Sequence, residues 1–174
     1  MKVIDTIKGY DVGIFLWVSE RKTRHTLVRV ARLVSRSADG PLYLALAMVL
    51  AYAGQEPQLS LLYCLLLGFT LERPLYLVLK NVCRRDRPEA TLKIPSFIIP
   101  SDRFSFPSGH TSAAFLVATL VSAFYPALAP LLFSWAIMVG MARVILGVHF
   151  PTDTLIGAVM GSTLALASME YWLK

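Results

Sequence analysis

Charge is scarce in this 174-residue chain: only 16% of it is Asp, Glu, Lys or Arg, against about 25% in soluble domains. From Phe104 to Ala142 there is no such residue at all. Cysteine is nearly absent. Cys64 and Cys83 fall on one expected helix, about 28 Å apart at a rise of 1.5 Å per residue, which excludes a bridge between them. Internal repeats and low-complexity tracts are missing, and with 56% hydrophobic residues the chain is not disordered. The opening MKVIDTIKGYD has neither an apolar h-region nor a cleavage site, so no secretory signal is expected. Counting glycine and leaving out tyrosine, about 57% of the chain is apolar, where soluble domains run at about 45–50%. The expected solvent is the bilayer.

The 17 Lys and Arg exceed the 11 Asp and Glu, giving a net charge of +6. A nucleic-acid partner would need a solvated basic surface, for which there are too few polar residues. The basic side chains cluster instead in short stretches, as suits a membrane surface or an anionic substrate.

A single helix from Phe104 to Ala142 would be about 58 Å long, nearly twice the hydrocarbon core of about 30 Å. The stretch must therefore fold back, with Tyr125-Pro126 to Pro130 as the corner. This predicts spans over 107–125 and 129–147. Others are expected over 151–168, over 57–80 with an interruption at Glu72-Arg73-Pro74, and over 40–55. Residues 1–36 are too charged to cross. Leu27, Val30, Ala31 and Val34 recur at helical spacing opposite Arg29, Arg32 and Arg36, which predicts an amphipathic surface helix. The expected fold is all-α: one domain, 1–174, a polytopic transmembrane bundle of about five to six helices. Residues 1–36 form its basic surface segment and residues 37–174 its core.

Tracing the ends of these spans brings Lys80–Arg87, Pro107–His110 and Arg143–Asp153 to one membrane face. Ionisable groups at membrane depth are costly and mark function. Lys80, Arg84 and Arg87 share a face if their helix continues, and cations so spaced suit a multi-oxygen anion. Alone, such a stretch also reads as a basic juxtamembrane stop. Pro107-Ser108-Gly109-His110 opens a helix whose free N–H groups favour anions; alone, it is also an ordinary helix start. Asp153, four after His149, can hold one imidazole nitrogen and free the other for attack, although such a pair can be purely structural. A metal on His110, His149 and Asp153 would be opposed by the surrounding cations, so neither metal nor cofactor is called for. His25 reads as a surface residue.

Lys80 with Arg87-Pro88, then Pro107-Ser108-Gly109-His110, then Arg143 with His149 and Asp153, resembles the three-part signature of the type 2 phosphatidic acid phosphatase superfamily. The resemblance covers residues 80–153 and implies a metal-independent membrane lipid phosphatase working through a phosphohistidine. In that pattern His149 is the nucleophile, Asp153 orients it and His110 is the acid. Lys80, Arg87, Ser108, Gly109 and Arg143 hold the phosphoryl oxygens. Many members have serine where this chain has Ala142, and integral members usually have six spans. The implied substrates are phosphatidic acid, phosphatidylglycerol phosphate or undecaprenyl diphosphate. A lipid-to-lipid phosphotransferase and a non-catalytic anionic-lipid binder or transporter remain open. The positive-inside rule would place the Arg21–Arg36 and Lys80–Arg103 face in the cytoplasm. The resemblance implies a bacterial inner membrane with the site facing outward.

Overall fold

The computed structural model describes residues 2–20, 24–100 and 102–174. Among these, all regular structure is helical: α1 (Lys2–Ser19), α2 (Arg24–Arg36), α3 (Gly40–Ala53), α4 (Gln58–Cys83), α5 (Pro88–Leu92), α6 (Gly109–Phe124), α7 (Ala129–Ile145) and α8 (Pro151–Trp172). A 3-10 turn at Pro126–Leu128 forms the expected corner between α6 and α7. Arg21 and Lys22 of the basic segment lie outside the described residues.

Three stretches are long and apolar enough to cross a membrane: His25–Ala53, Gln58–Leu92 and Pro126–Ile145, with Gly109–Phe124 a shorter apolar helix. Large apolar side chains point outward from the bundle, among them Leu44 and Met48 on α3, Leu77 and Val78 on α4, Ile137 and Met141 on α7, and Leu155 and Leu166 on α8. In water such a surface would aggregate, whereas in lipid it is solvated. The chain is a multi-pass integral membrane protein.

Helix α6 is the centre of the bundle. Ala113, Ala114, Leu116, Ala118 and Leu120 are buried on it, with α4, α7 and α8 around it. Its approach to α8 is close because Gly157 and Gly161 stand four apart on the contact face. A Cβ on Gly157 would lie 2.6 Å from the Ser108 carbonyl oxygen, and one on Gly161 2.0 Å from that of Ser112. Such small-residue pairs let backbones meet in a membrane, where no hydrophobic drive separates helix from lipid. Pro151 opens α8 where its missing N–H costs nothing.

Three sequence expectations need correction. Helix α4 runs unbroken through Pro74, with Glu72 fully buried and paired to Arg73 at 2.5 Å. It then ends at Cys83, where Arg84 takes a left-handed conformation at φ 44°, so Arg84 and Arg87 do not continue a face begun at Lys80. The apolar face of α2 is also rotated: Val28, Ala31 and Ser35 are buried, whereas Val30 is 54% exposed. Helices α1 and α2 are docked on the bundle as well as amphipathic. Val28 and Ala31 pack with Ala142 and Leu146 of α7, and Phe15 of α1 meets Phe150 edge-on with ring centroids 5.9 Å apart.

Gly161→Ala should lower the unfolding temperature in detergent sharply. A backbone carbonyl cannot yield as a side chain can, and overpacking costs about 1–3 kcal/mol or more. Gly9→Ala, with nothing within 4 Å of its added methyl, should leave the melt unchanged or raised; equal effects of the two would overturn the close crossing.

Candidate active site

The three signature stretches meet where α6 and α8 begin. Ser108 N–H donates to the Asp153 carbonyl at 3.0 Å, which fixes one helix start on the other. Asp153 is fully buried and its oxygens are occupied: Oδ1 accepts from Arg85 Nη1 at 2.9 Å, and Oδ2 accepts from Phe150 N–H at 2.8 Å and from the Ser105 hydroxyl. His149 is 2% exposed. Its Nδ1 lies 3.8 Å from Asp153 Oδ2, facing the carboxylate but beyond hydrogen-bond reach, and has no other partner. That orientation turns Nε2 away from Asp153. Burial pushes His149 down to about 4, although the Asp153 carboxylate pulls the other way. The imidazole is neutral at ordinary pH, as a nucleophile must be.

The cations surround this histidine. Arg87, 5% exposed, donates from Nη1 to the Val148 carbonyl at 2.5 Å, directly beside His149. Lys80, equally buried, donates to the Phe104 carbonyl at 3.0 Å. Both also hold Asp102: Lys80 reaches Oδ1 at 2.7 Å, Arg87 Nη2 bonds the same oxygen, and Tyr76 donates to Oδ2 at 2.6 Å. Burial raises the Asp102 carboxyl, but the Lys80 and Tyr76 hydrogen bonds and the two cationic charges outweigh it and hold it at about 2. Arg143 is buried from α7 and donates from Nη1 to Ser35 Oγ at 2.8 Å, leaving its buried Nε without a partner. Ala142 packs among Val28, Ala31, Leu146 and Val148, so the position where a serine was expected faces apolar neighbours here.

At the head of α6, Ser108 Oγ pairs with Thr111 Oγ1 at 2.9 Å. A Cβ on Gly109 would fall 2.9 Å from the Tyr76 ring, so glycine is what lets that ring close against the helix start. His110 Nε2 meets Asp39 Oδ1 at 3.0 Å. This pair stands between two cavities of about 510 and 530 Å³, each lined by both residues.

The expected site residues Lys80, Arg87, Ser108, Gly109, His110, Arg143, His149 and Asp153 therefore lie together, but Arg84 does not join them. It is exposed and turned back, its Nε on the Asn81 carbonyl at 2.8 Å. Arg85 takes the larger part instead. It spans Asp11 Oδ2 at 2.6 Å, Thr152 Oγ1 at 2.7 Å and Asp153. Asp11, Ser35, Asp39 and Asp102 were not legible as site residues. Only Asp102 had a local signal, a carboxylate in the polar loop just before Pro107. Among the described residues, no group of three or more His, Cys, Asp or Glu is placed to hold a metal.

Known proteins resemble this chain in sequence and in fold. The PAP2 superfamily model matches residues 57–174. Phosphatidylglycerophosphatase B of Bacillus subtilis (strain 168) is 35% identical over 108 residues, covering 56% of this chain and 51% of that protein. The chain thus spans about half the length of that relative. The crystal structure of Aquifex aeolicus LpxE superposes with a TM-score of 0.81 at 27% identity, covering 92% of this chain and 94% of that one. The first transmembrane PAP2-type phosphatidylglycerolphosphate phosphatase from Bacillus subtilis gives a TM-score of 0.75 at 26% identity, covering 95% and 86%.

Arg85→Ala should lower both unfolding temperature and turnover, because it leaves the buried Asp11 and Asp153 without their shared cation. Arg84→Ala, at the exposed neighbour, should match wild type in both assays. A second expectation concerns pH. The folded state binds the His149 proton less readily than the unfolded chain, whose histidine titrates near 6.5. Acidification from about 6.5 towards about 4 therefore favours unfolding, and stability gained above that window is lost within it. The melt of His149→Gln should be less steep in pH there; parallel curves would refute a buried neutral imidazole.

Proposed function

The chain belongs to the PAP2 superfamily, and on that premise we propose that it is a metal-independent lipid phosphate phosphatase that works through a phosphohistidine. The observation that carries this reading is the buried, neutral His149 between Arg87 and Arg143, backed by Asp153 and set at the meeting of two helix starts. His149 Nε2 attacks phosphorus and the bond to the leaving oxygen breaks. His110, held by Asp39, gives that oxygen a proton, then takes one from the water that cleaves the N–P bond. Lys80, Arg87, Arg143 and the open N–H groups of the first turn of α6 carry the equatorial oxygens as charge builds. Ser108 adds its hydroxyl, and Gly109 its close backbone.

The substrate class is set by depth. Helices α6 and α7, of 16 and 17 residues, measure about 24 and 26 Å, less than a hydrocarbon core of about 30 Å. Helices that short can bring their site-bearing ends below the membrane surface, within reach of a head group whose tail stays in lipid. Phosphatidic acid, phosphatidylglycerol phosphate and undecaprenyl diphosphate have that form, and relatives named for phosphatidylglycerol phosphate support the class. On the family resemblance, and against the positive-inside rule, the site is assigned to the outer side of a bacterial inner membrane.

A lipid binder with the same cations has no use for a nucleophile, and a transferase would pass the phosphoryl group to an alcohol. Phosphoenzyme burst and phosphate release, measured in EDTA, separate the three. His149→Ala should abolish both signals. His110→Ala should lose about 10²–10⁴-fold on a lipid phosphate, the usual worth of general acid help. The loss should shrink with p-nitrophenyl phosphate, whose leaving group needs no proton. A burst from His149→Ala, with none from His110→Ala on the activated substrate, would reverse the roles.

A further inference from the structure

The second of the two cavities beside His110 is basic. Arg32 and Arg36 of α2 and Arg143 of α7 line it, with Asp39 its one carboxylate. Arg143 is 5% exposed, and its buried Nε has no partner. Arg32 is held at the cavity wall by a bond from Nη2 to the Phe97 carbonyl at 2.8 Å, which leaves its other N–H groups available. Arg36 is exposed one turn further along the same helix face. At about 530 Å³ the space is several times that of a phosphate group. Three guanidinium groups around a single carboxylate leave positive charge in excess, and guanidinium forks match phosphate oxygens in pairs.

We infer that Arg32 and Arg36, beside the Arg143 that holds the scissile phosphate, form a second phosphate subsite on the leaving-group side, which selects lipids carrying a further phosphate beyond the scissile bond. This rests on the phosphatase reading above. In-line attack by His149 sends the leaving oxygen towards His110, so the group attached to that oxygen enters a cavity that His110 borders. The other such cavity has Tyr43, Phe69, Tyr76 and Ala113 in its walls and Arg73 as its one cation. A neutral or apolar continuation suits that one; a second phosphate suits the basic one. The chemistry is shared by a diphosphate, where the second phosphoryl is adjacent, and by phosphatidylglycerol phosphate, where a glycerol separates them.

The test uses the full chain in detergent and reads phosphate release from phosphatidylglycerol phosphate, undecaprenyl diphosphate and phosphatidic acid. For Arg36→Gln, the ratio of kcat/KM for either doubly phosphorylated lipid to that for phosphatidic acid should fall by about tenfold, through KM. Arg32→Gln combined with Arg36→Gln should lower it further, with the melting curve recorded to exclude unfolding. Arg29→Gln, on α2 but outside the cavity lining, should keep the ratio. A fall for one doubly phosphorylated lipid alone supports the subsite and reports its distance from the scissile bond. An unchanged ratio in the folded double variant, with phosphatidic acid still hydrolysed, overturns the subsite and spares the phosphatase reading. Wild-type protein that releases phosphate from none of the three overturns both.

Discussion

The close crossing of α6 and α8 is the constraint on which the site depends. Gly157 and Gly161 admit the backbone of α6 at distances where any Cβ would overlap a carbonyl. Because both helices begin at the same membrane face, that crossing puts Ser108 against Asp153 and ties them by a backbone hydrogen bond. Gly109 and His110 come directly after Ser108 in sequence, and His149 precedes Asp153. Two signature stretches far apart in the chain are thus held as one body by contacts that carry no charge.

Concentrating cations at such a place creates its own problem. Lys80, Arg87 and Arg143 are each about 5% exposed, and buried like charges are unfavourable without compensation. The fold answers with carboxylates placed one by one. Asp102 joins Lys80 to Arg87, and Asp153 and Asp11 share Arg85. Arg143 has only the hydroxyl of Ser35 and is left with an orphan nitrogen. Of these three buried cations it is, among the described residues, the one with the least compensation.

The helices over the expected spans were legible, although α8 is not among the stretches apolar enough to cross, because lipid imposes a simple rule: long stretches free of charge must be helices, and prolines must mark their corners. The signature residues were legible because their spacing is local to each stretch. The phase after Cys83 was not. Continuing α4 would have kept Arg84 facing the site, but the chain turns left-handed there without a glycine to announce it, and the roles of Arg84 and Arg85 exchange. The rotation of α2 was hidden for another reason: an apolar stripe of Leu27, Val30, Ala31 and Val34 competes with one of Val28, Ala31 and Ser35. Packing against α7, including a polar contact, decides between them.

The least legible part is also the most integrated. The matched superfamily region begins at residue 57, yet each of three signature groups is completed from the segment before it. Asp11 of α1 holds Arg85, which holds Asp153. Ser35 of α2 holds Arg143. Asp39, at the start of α3, holds His110. Each pair joins residues far apart in the chain, so no local pattern could reveal it. These contacts give the N-terminal helices a reason to dock that a surface anchor would lack. An amphipathic helix on lipid needs only apolar area and basic charge, whereas here a buried aspartate, a buried serine and the aspartate before α3 each hold one of the signature groups. The N-terminal segment is thus built into the cluster that holds the signature residues, and the proposed second-anion cavity lies where α2 meets that cluster.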